Sequence, residues 1–254
     1  MRAAFLKSVA ALALLAIPIA ASAADLSVKA RPAPPPPLPP PFNWTGFYIG
    51  GNIGGAWAHG NNVTDSRFGL NFDNGNNNGV FIGGGQVGAN LQLSNIVLGV
   101  EGDFDWAANN SNTGNGVFVP GVGTVRVSAN DRWIATLAAR FGVAYDHWLF
   151  YVKAGGGWVG NSGFTVTNVT TGTSITGSTN NTDTVWLGGG GIEWAFANNW
   201  SAKVEYDFLG LLSSQSFTVP AASPLLAGDT FSAAKGNIQT VKFGINYKFG
   251  MYGI

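Results

Sequence analysis

Two segments near opposite ends of the chain carry the same alternation. In the stretch Trp44-Thr-Gly-Phe-Tyr-Ile-Gly-Gly-Asn-Ile-Gly-Gly-Ala-Trp57, the odd positions hold Phe47, Ile49, Ile53 and Trp57 with glycines between them. The even positions are small or polar. From Thr240 to Phe249, the residues Val241, Phe243, Ile245, Tyr247 and Phe249 share one face, and Thr240, Lys242, Gly244, Asn246 and Lys248 share the other. A period of two belongs to a strand, whose successive side chains point to opposite sides. Strands at both ends of a sheet leave two open edges, a liability unless the edges meet. The first and last strands are therefore expected to pair and close a barrel.

Six more segments alternate in the same way: Val80 to Leu93, Ile96 to Trp106, Arg132 to Ala144, Leu149 to Gly160, Thr184 to Phe196 and Trp200 to Phe208. The connections alternate in length. Ser94-Asn95, Tyr145 to Trp148 and Ala197 to Asn199 are short, whereas 58–78, 107–131, 161–183 and 209–237 are long and rich in Asn, Gly, Ser and Thr. Eight antiparallel strands with short turns at one end and long loops at the other form the pattern of a bacterial outer-membrane barrel. The expected fold is all-β, an eight-stranded antiparallel up-and-down transmembrane β-barrel over residues 42–249.

Charge decides which face meets lipid. Only 10% of the chain is charged, and within the strands the charges fall on one face. They are Glu101, Asp103, Asp105, Arg132, Arg140, Lys153, Glu193, Lys203, Glu205, Asp207, Lys242 and Lys248. Arg or Lys on the lipid face near the midplane costs on the order of 2–4 kcal/mol. This face is therefore expected to line the lumen as a structural network of ion pairs. The nine tryptophans give an independent sign, because all lie near strand ends. Trp57, Trp106, Trp133, Trp158 and Trp186 belong to the long-loop end, and Trp44, Trp148, Trp194 and Trp200 to the short-turn end. Amphipathic rings at two levels are the aromatic girdles of a membrane barrel. In a soluble ligand-binding barrel the apolar face would instead point inward.

The N-terminus agrees with export. Arg2 and Lys7 precede an apolar run to Ile19, and Ala21-Ser22-Ala23 is a small-x-small cleavage site, so residues 1–23 read as a secretory signal peptide. Residues 24–41 form a proline-rich leader suited to extended polyproline II, and residues 250–254 a short C-terminal extension. The net charge of zero argues against a nucleic-acid partner. The absence of cysteine excludes thiolate metal sites and disulfides.

With these features in place, a family resemblance emerges. The signal peptide, the proline-rich leader and Asn43-Trp-Thr-Gly-Phe-Tyr-Ile-Gly-Gly51 resemble the start of alphaproteobacterial OmpA-like small outer-membrane barrels, the immunogenic major outer-membrane protein type. Leu98-Gly-Val-Glu-Gly-Asp-Phe104 and Val204-Glu-Tyr206 are similar to internal strands of that family. The resemblance implies an eight-stranded barrel in the outer membrane of a Gram-negative bacterium. It also implies contact with outer-membrane lipid, periplasmic chaperones and the barrel-assembly machinery. That machinery would read a last strand ending in aromatics, here Phe243, Tyr247 and Phe249. The five residues after Phe249 depart from the family's usual end.

Little in the sequence points to an enzyme or a cofactor. Asp103 and Asp105 could be read as a general acid–base pair, but buried carboxylates need partners, and the basic residues of the same face supply them. His147 lies in a short turn beside Asp146. His59 opens the first long loop, and neither has a nucleophile or metal-ligand spacing around it. The runs Gly83-Gly-Gly85, Gly155-Gly-Gly157 and Gly188 to Gly191 precede no helix and are not phosphate loops. Three functions remain in order: a structural barrel contributing to envelope integrity and displaying four polar loops; a small low-conductance channel; and a surface receptor, for haemin through His59 or for another ligand. An eight-stranded interior is just wide enough for side chains to fill, which favours the first.

Overall fold

The computed structural model describes residues 42–249 apart from 60–62, 73–78, 109–111, 114–115, 178–181, 213, 220, 222–225 and 234. The signal-peptide, leader and C-terminal-extension expectations lie outside the described residues. Eight long strands form the wall: β1 (Gly46–His59), β2 (Val80–Leu93), β3 (Ile96–Ala107), β4 (Gly123–Tyr145), β5 (Trp148–Asn168), β6 (Thr182–Ala197), β7 (Trp200–Leu211) and β8 (Asn237–Phe249). Each pairs antiparallel with its neighbours in the sequence. β8 then pairs with β1 from Phe47↔Phe249 to His59↔Asn237, so the sheet closes on itself.

The short turns follow from local chemistry. Leu93 pairs with Ile96 and Tyr145 with Trp148, which leaves two-residue loops. Ser94 and Asp146 take positive φ, at 59° and 52°, as tight hairpins demand. A register shift at Ala195/Ala197 marks the third turn.

Alternation holds around the wall. Phe47, Ile53, Leu137, Phe243 and Ile245 stand outward and exposed, while Tyr48, Gln86, Glu101 and Lys203 point inward and are buried. In water, such a belt of apolar side chains would be unstable. In lipid it is the required surface, and closure leaves no backbone edge unsatisfied. The inward glycines make room for long side chains crossing from adjacent strands. A Cβ on Gly88 would lie 2.3 Å from the Tyr48 ring, and one on Gly191 2.7 Å from the Tyr151 hydroxyl.

The wall rises further at the long-loop end than the alternation predicts. Strands expected to begin at Arg132 and to end at Gly160 run instead from Gly123 and to Asn168. The loops also hold a second, four-stranded sheet, in the order 215–218, 230–233, 63–65 and 71–72.

Candidate functional site

The lumen is filled in three layers. At the short-turn end, Trp44, Val97, Leu149, Tyr151 and Ala195 form an apolar plug, backed by Phe42 and Ala144. At the long-loop end, Ala56, Ile82, Ile134, Val159, Val185, Leu187, Leu209 and Ile238 form an apolar stopper. Charges occupy the layer between. Arg140 donates to Glu193 (2.8 Å) and to the Tyr48 oxygen (2.6 Å), and Tyr48 donates to Glu101 (2.8 Å). The Arg140 guanidinium also lies 3.9 Å from the centroid of the Tyr151 ring, whose hydroxyl donates to Glu205 (2.7 Å). Lys203 reaches Glu101 (3.0 Å) and Glu205 (3.3 Å), and Lys153 reaches Glu205 (2.7 Å), Glu101 (3.3 Å), Asp103 (3.4 Å) and Asp207 (3.4 Å). Lys242 sits among Asp207 (3.1 Å), Asp103 (3.2 Å), Glu205 (3.3 Å) and Asp105 (3.5 Å). Neutral side chains extend the web: Asn52 donates to Gln86, Gln86 to Asn246, and Asn246 and Ser201 to Glu193.

One expected member, Lys248, is not in this web. Lys248 lies at the short-turn rim, where its ammonium donates to the Asn43 carbonyl and stands 4.2 Å from the centroid of the Phe42 ring. It is too near the end of β8 to reach the carboxylates. The Arg132 side chain lies outside the described residues. Glu101, Asp103 and Glu205 bring carboxylate oxygens within 4.8 Å of one another, the one such metal-type grouping among the described residues. Lys153, Lys203 and Lys242 already occupy that space with ammonium groups. Asp103 and Asp105 are both buried and both face Lys242.

Of the nine tryptophans, Trp106, Trp148, Trp158, Trp186, Trp194 and Trp200 stand outward and exposed at the two ends, and Trp57 and Trp133 are half-buried. Trp148 stacks on Trp194, and Trp200 meets Tyr247 edge-on in a row that continues to Phe249. Trp44 is a correction. It is 3% exposed and belongs to the plug, not to the girdle. It precedes β1, so strand parity does not bind it. Its backbone N–H donates to Gln92 (2.7 Å), and its ring packs edge-on against Phe42.

Sequence reasoning missed the arrangement of the long loops, which pack together. Val119, Val125, Val166, Val219, Leu226 and Phe231 form one buried cluster, with Leu70, Val117, Val122 and Ile175 packed against it. Every one of the four loop regions contributes, so they make a single cap with its own core. The alternation Val117-Phe-Val119 and Val125-Arg-Val127, on either side of Pro120-Gly-Val-Gly123, is the signal that could have revealed it. Within the cap, Asp65 and Asp229 are each 2% exposed. Burial, reinforced by the neighbouring Asp65 carboxyl, raises the Asp229 pKa above the usual aspartate value. His59 ends β1 at the rim, and its buried Nδ1 has no hydrogen-bond partner.

A closed barrel with an apolar exterior, aromatic ends and a charged, buried interior defines the class of β-barrels that span lipid. The sequence comparisons make the assignment specific. Residues 9–249 match the family described as outer membrane protein beta-barrel domain, and the chain belongs to it. It is similar to the 31 kDa outer-membrane immunogenic proteins of Brucella melitensis and Brucella suis. Each is 30% identical over 241 residues, covering 90% of this chain and 93% of the relative. Among solved structures, the outer membrane protein OprG of Pseudomonas aeruginosa has the same fold, with a TM-score of 0.50, 8% identity, and coverage of 82% of this chain and 99% of that one. The protein is thus a barrel of the Gram-negative outer membrane. In such barrels the short turns face the periplasm and the long loops face outside.

Proposed function

We propose that the protein is a structural barrel that stabilises the outer membrane and holds its four loops as one preformed external surface. The observation that carries this reading is the luminal web of Glu101, Arg140, Lys153, Glu193, Lys203, Glu205 and Lys242, sealed between two apolar layers. Such charges are costly to leave unpaired, and the geometry pairs them side to side rather than leaving a wet path. The Brucella relatives are named immunogenic, which fits a cap exposed to the surroundings. We read no enzyme in this chain, because its clustered carboxylates are held by lysines. The outward row of Phe243, Tyr247 and Phe249 would serve recognition by the barrel-assembly machinery during insertion.

The test is conductance. The refolded chain in planar bilayers and in sugar-loaded liposomes should show neither steady channels nor swelling. Reproducible steps and swelling in arabinose would overturn the structural reading in favour of a small channel. Haemin binding lost on His59→Ala would point to the receptor reading.

A further inference from the structure

We propose that Asp65 and Asp229 form a proton-sharing latch between the first and fourth external loops, closed in acid and loosened as the surroundings become alkaline. The proposal goes beyond the structural reading and requires only that the cap lies outside the membrane.

The two side chains come together through strand register. Asp65 pairs with Phe231, so Asp229, two residues before Phe231, shares its face of the small sheet. Diagonal neighbours of this kind are within side-chain reach across an antiparallel pair. That face is the inner one, because Phe231 belongs to the cap core. Two buried carboxyl groups from residues 164 positions apart are therefore diagonal neighbours on one face of the small sheet.

Their hydrogen bonds leave one position open. Asp65 accepts from the backbone N–H groups of Phe68 (2.7 Å) and Arg67 (3.2 Å). Oδ1 of Asp229 accepts from the Thr230 N–H (2.9 Å) and the Ser66 hydroxyl (3.3 Å). Oδ2 of Asp229 is buried and has no hydrogen-bond partner. The neighbouring Asp65 carboxyl adds to the effect of burial on Asp229. Two ionised carboxylates are acceptors only and would repel. A proton taken from solvent onto Asp229 supplies the missing donor and removes one charge.

Among the described residues, no cation on these four strands does this work instead. Strands 63–65, 71–72, 215–218 and 230–233 carry no other titratable residue besides Asp65. The core beneath them is apolar. Arg67, on the adjoining turn, directs its guanidinium over the Phe68 ring, 5.5 Å from the centroid. The raised pKa of Asp229 has the same origin, burial first and Asp65 second.

The sign follows from linkage. Between the ordinary aspartate pKa and the raised one, the latched carboxyl keeps a proton that the unlatched one releases. The latch is at full strength below that window, weakens as pH rises through it, and gains nothing further above it. Each unit by which the pKa is raised corresponds to about a tenfold change in the latching equilibrium.

The test uses the full mature chain refolded in detergent micelles. Hydrogen exchange would be followed in peptides spanning 64–70 and 228–232, as protection factors corrected for the intrinsic pH dependence of exchange. The Ser66 amide, which donates to the Thr230 carbonyl (2.9 Å), is the reporter. Protection in wild type should be higher at pH 4 than at pH 8, falling as pH rises through the raised pKa of Asp229. Asp229→Asn carries a permanent donor in place of the proton, and its protection should be high and flat across that range. Equal protection of wild type at both pH values, or an undiminished pH dependence in Asp229→Asn, would overturn the proposal. Protection restored at pH 8 by calcium chloride and removed by chelator would overturn it too, by making the pair a cation site. An unboiled gel shift at every pH keeps the state of the cap separate from that of the barrel.

Discussion

The Arg140 guanidinium donates from Nη2 to Oε2 of Glu193 across 2.8 Å, while its Nη1 donates to the Tyr48 oxygen. One side chain thus ties β4 to β6 and β1 across the lumen. Removing it leaves Glu101 and Glu193 buried with fewer partners. Arg140→Ala should destabilise the barrel by about 3–5 kcal/mol, as expected for a broken buried pair. Urea unfolding in phospholipid vesicles would measure this, and a loss below about 1 kcal/mol would mean that the web contributes little.

Space, not charge, sets the second expectation. A side chain at Gly88 would overlap Tyr48, whose hydroxyl bridges Arg140 and Glu101. Gly88→Val should cost about 1–3 kcal/mol through overpacking. Gly83, on the outward face, has no atom closer than 3.6 Å to its would-be Cβ. Gly83→Ala should leave the unfolding midpoint near wild type, and an equal loss in both variants would contradict the assignment of faces.

The lipid face can be probed directly. Leu137 is outward and 60% exposed. Leu137→Arg should lower stability in vesicles on the order of 2–4 kcal/mol. Little change in detergent micelles alone would fit a penalty that belongs to the bilayer. If the substitution were tolerated in vesicles, the apolar belt would not be the lipid surface.

Trp44 supplies a fourth expectation. Because it fills the periplasmic plug, Trp44→Ala should cost about 3–5 kcal/mol. Trp200→Ala, at an exposed rim position, should cost clearly less. Equal effects in parallel urea titrations would place Trp44 at the rim after all.

Period-two alternation made the wall legible in the sequence, because closure forces every strand to separate lipid-facing from luminal residues. Glu101, Lys203 and Lys242 could be placed inside from their neighbours' parity alone. Trp44 could not, since it lies before β1 and is positioned by Gln92 and Phe42 rather than by a strand's pleat. Lys248 shares the luminal parity, but parity says nothing of height, and height removes it from the web. The cap was hidden for a different reason. Its core joins Leu70, Val119, Val166 and Phe231 from four separate loops, and a pattern read along one segment does not report a contact made between four.

The β4–β5 hairpin has a consequence for how the cell surface is seen. At about 3.3 Å per residue, strands of 23 and 21 residues are on the order of 70 Å long, whereas the apolar band of such barrels is about 25 Å tall. Even with a steep tilt, much of the hairpin stands beyond the lipid and carries part of the cap core on Val125 and Val166. The outermost part of this protein is therefore a folded shape held aloft on a stem. An antibody raised against it would recognise neighbouring pieces of several loops together, and a peptide copied from any single loop would reproduce only a fragment of that surface.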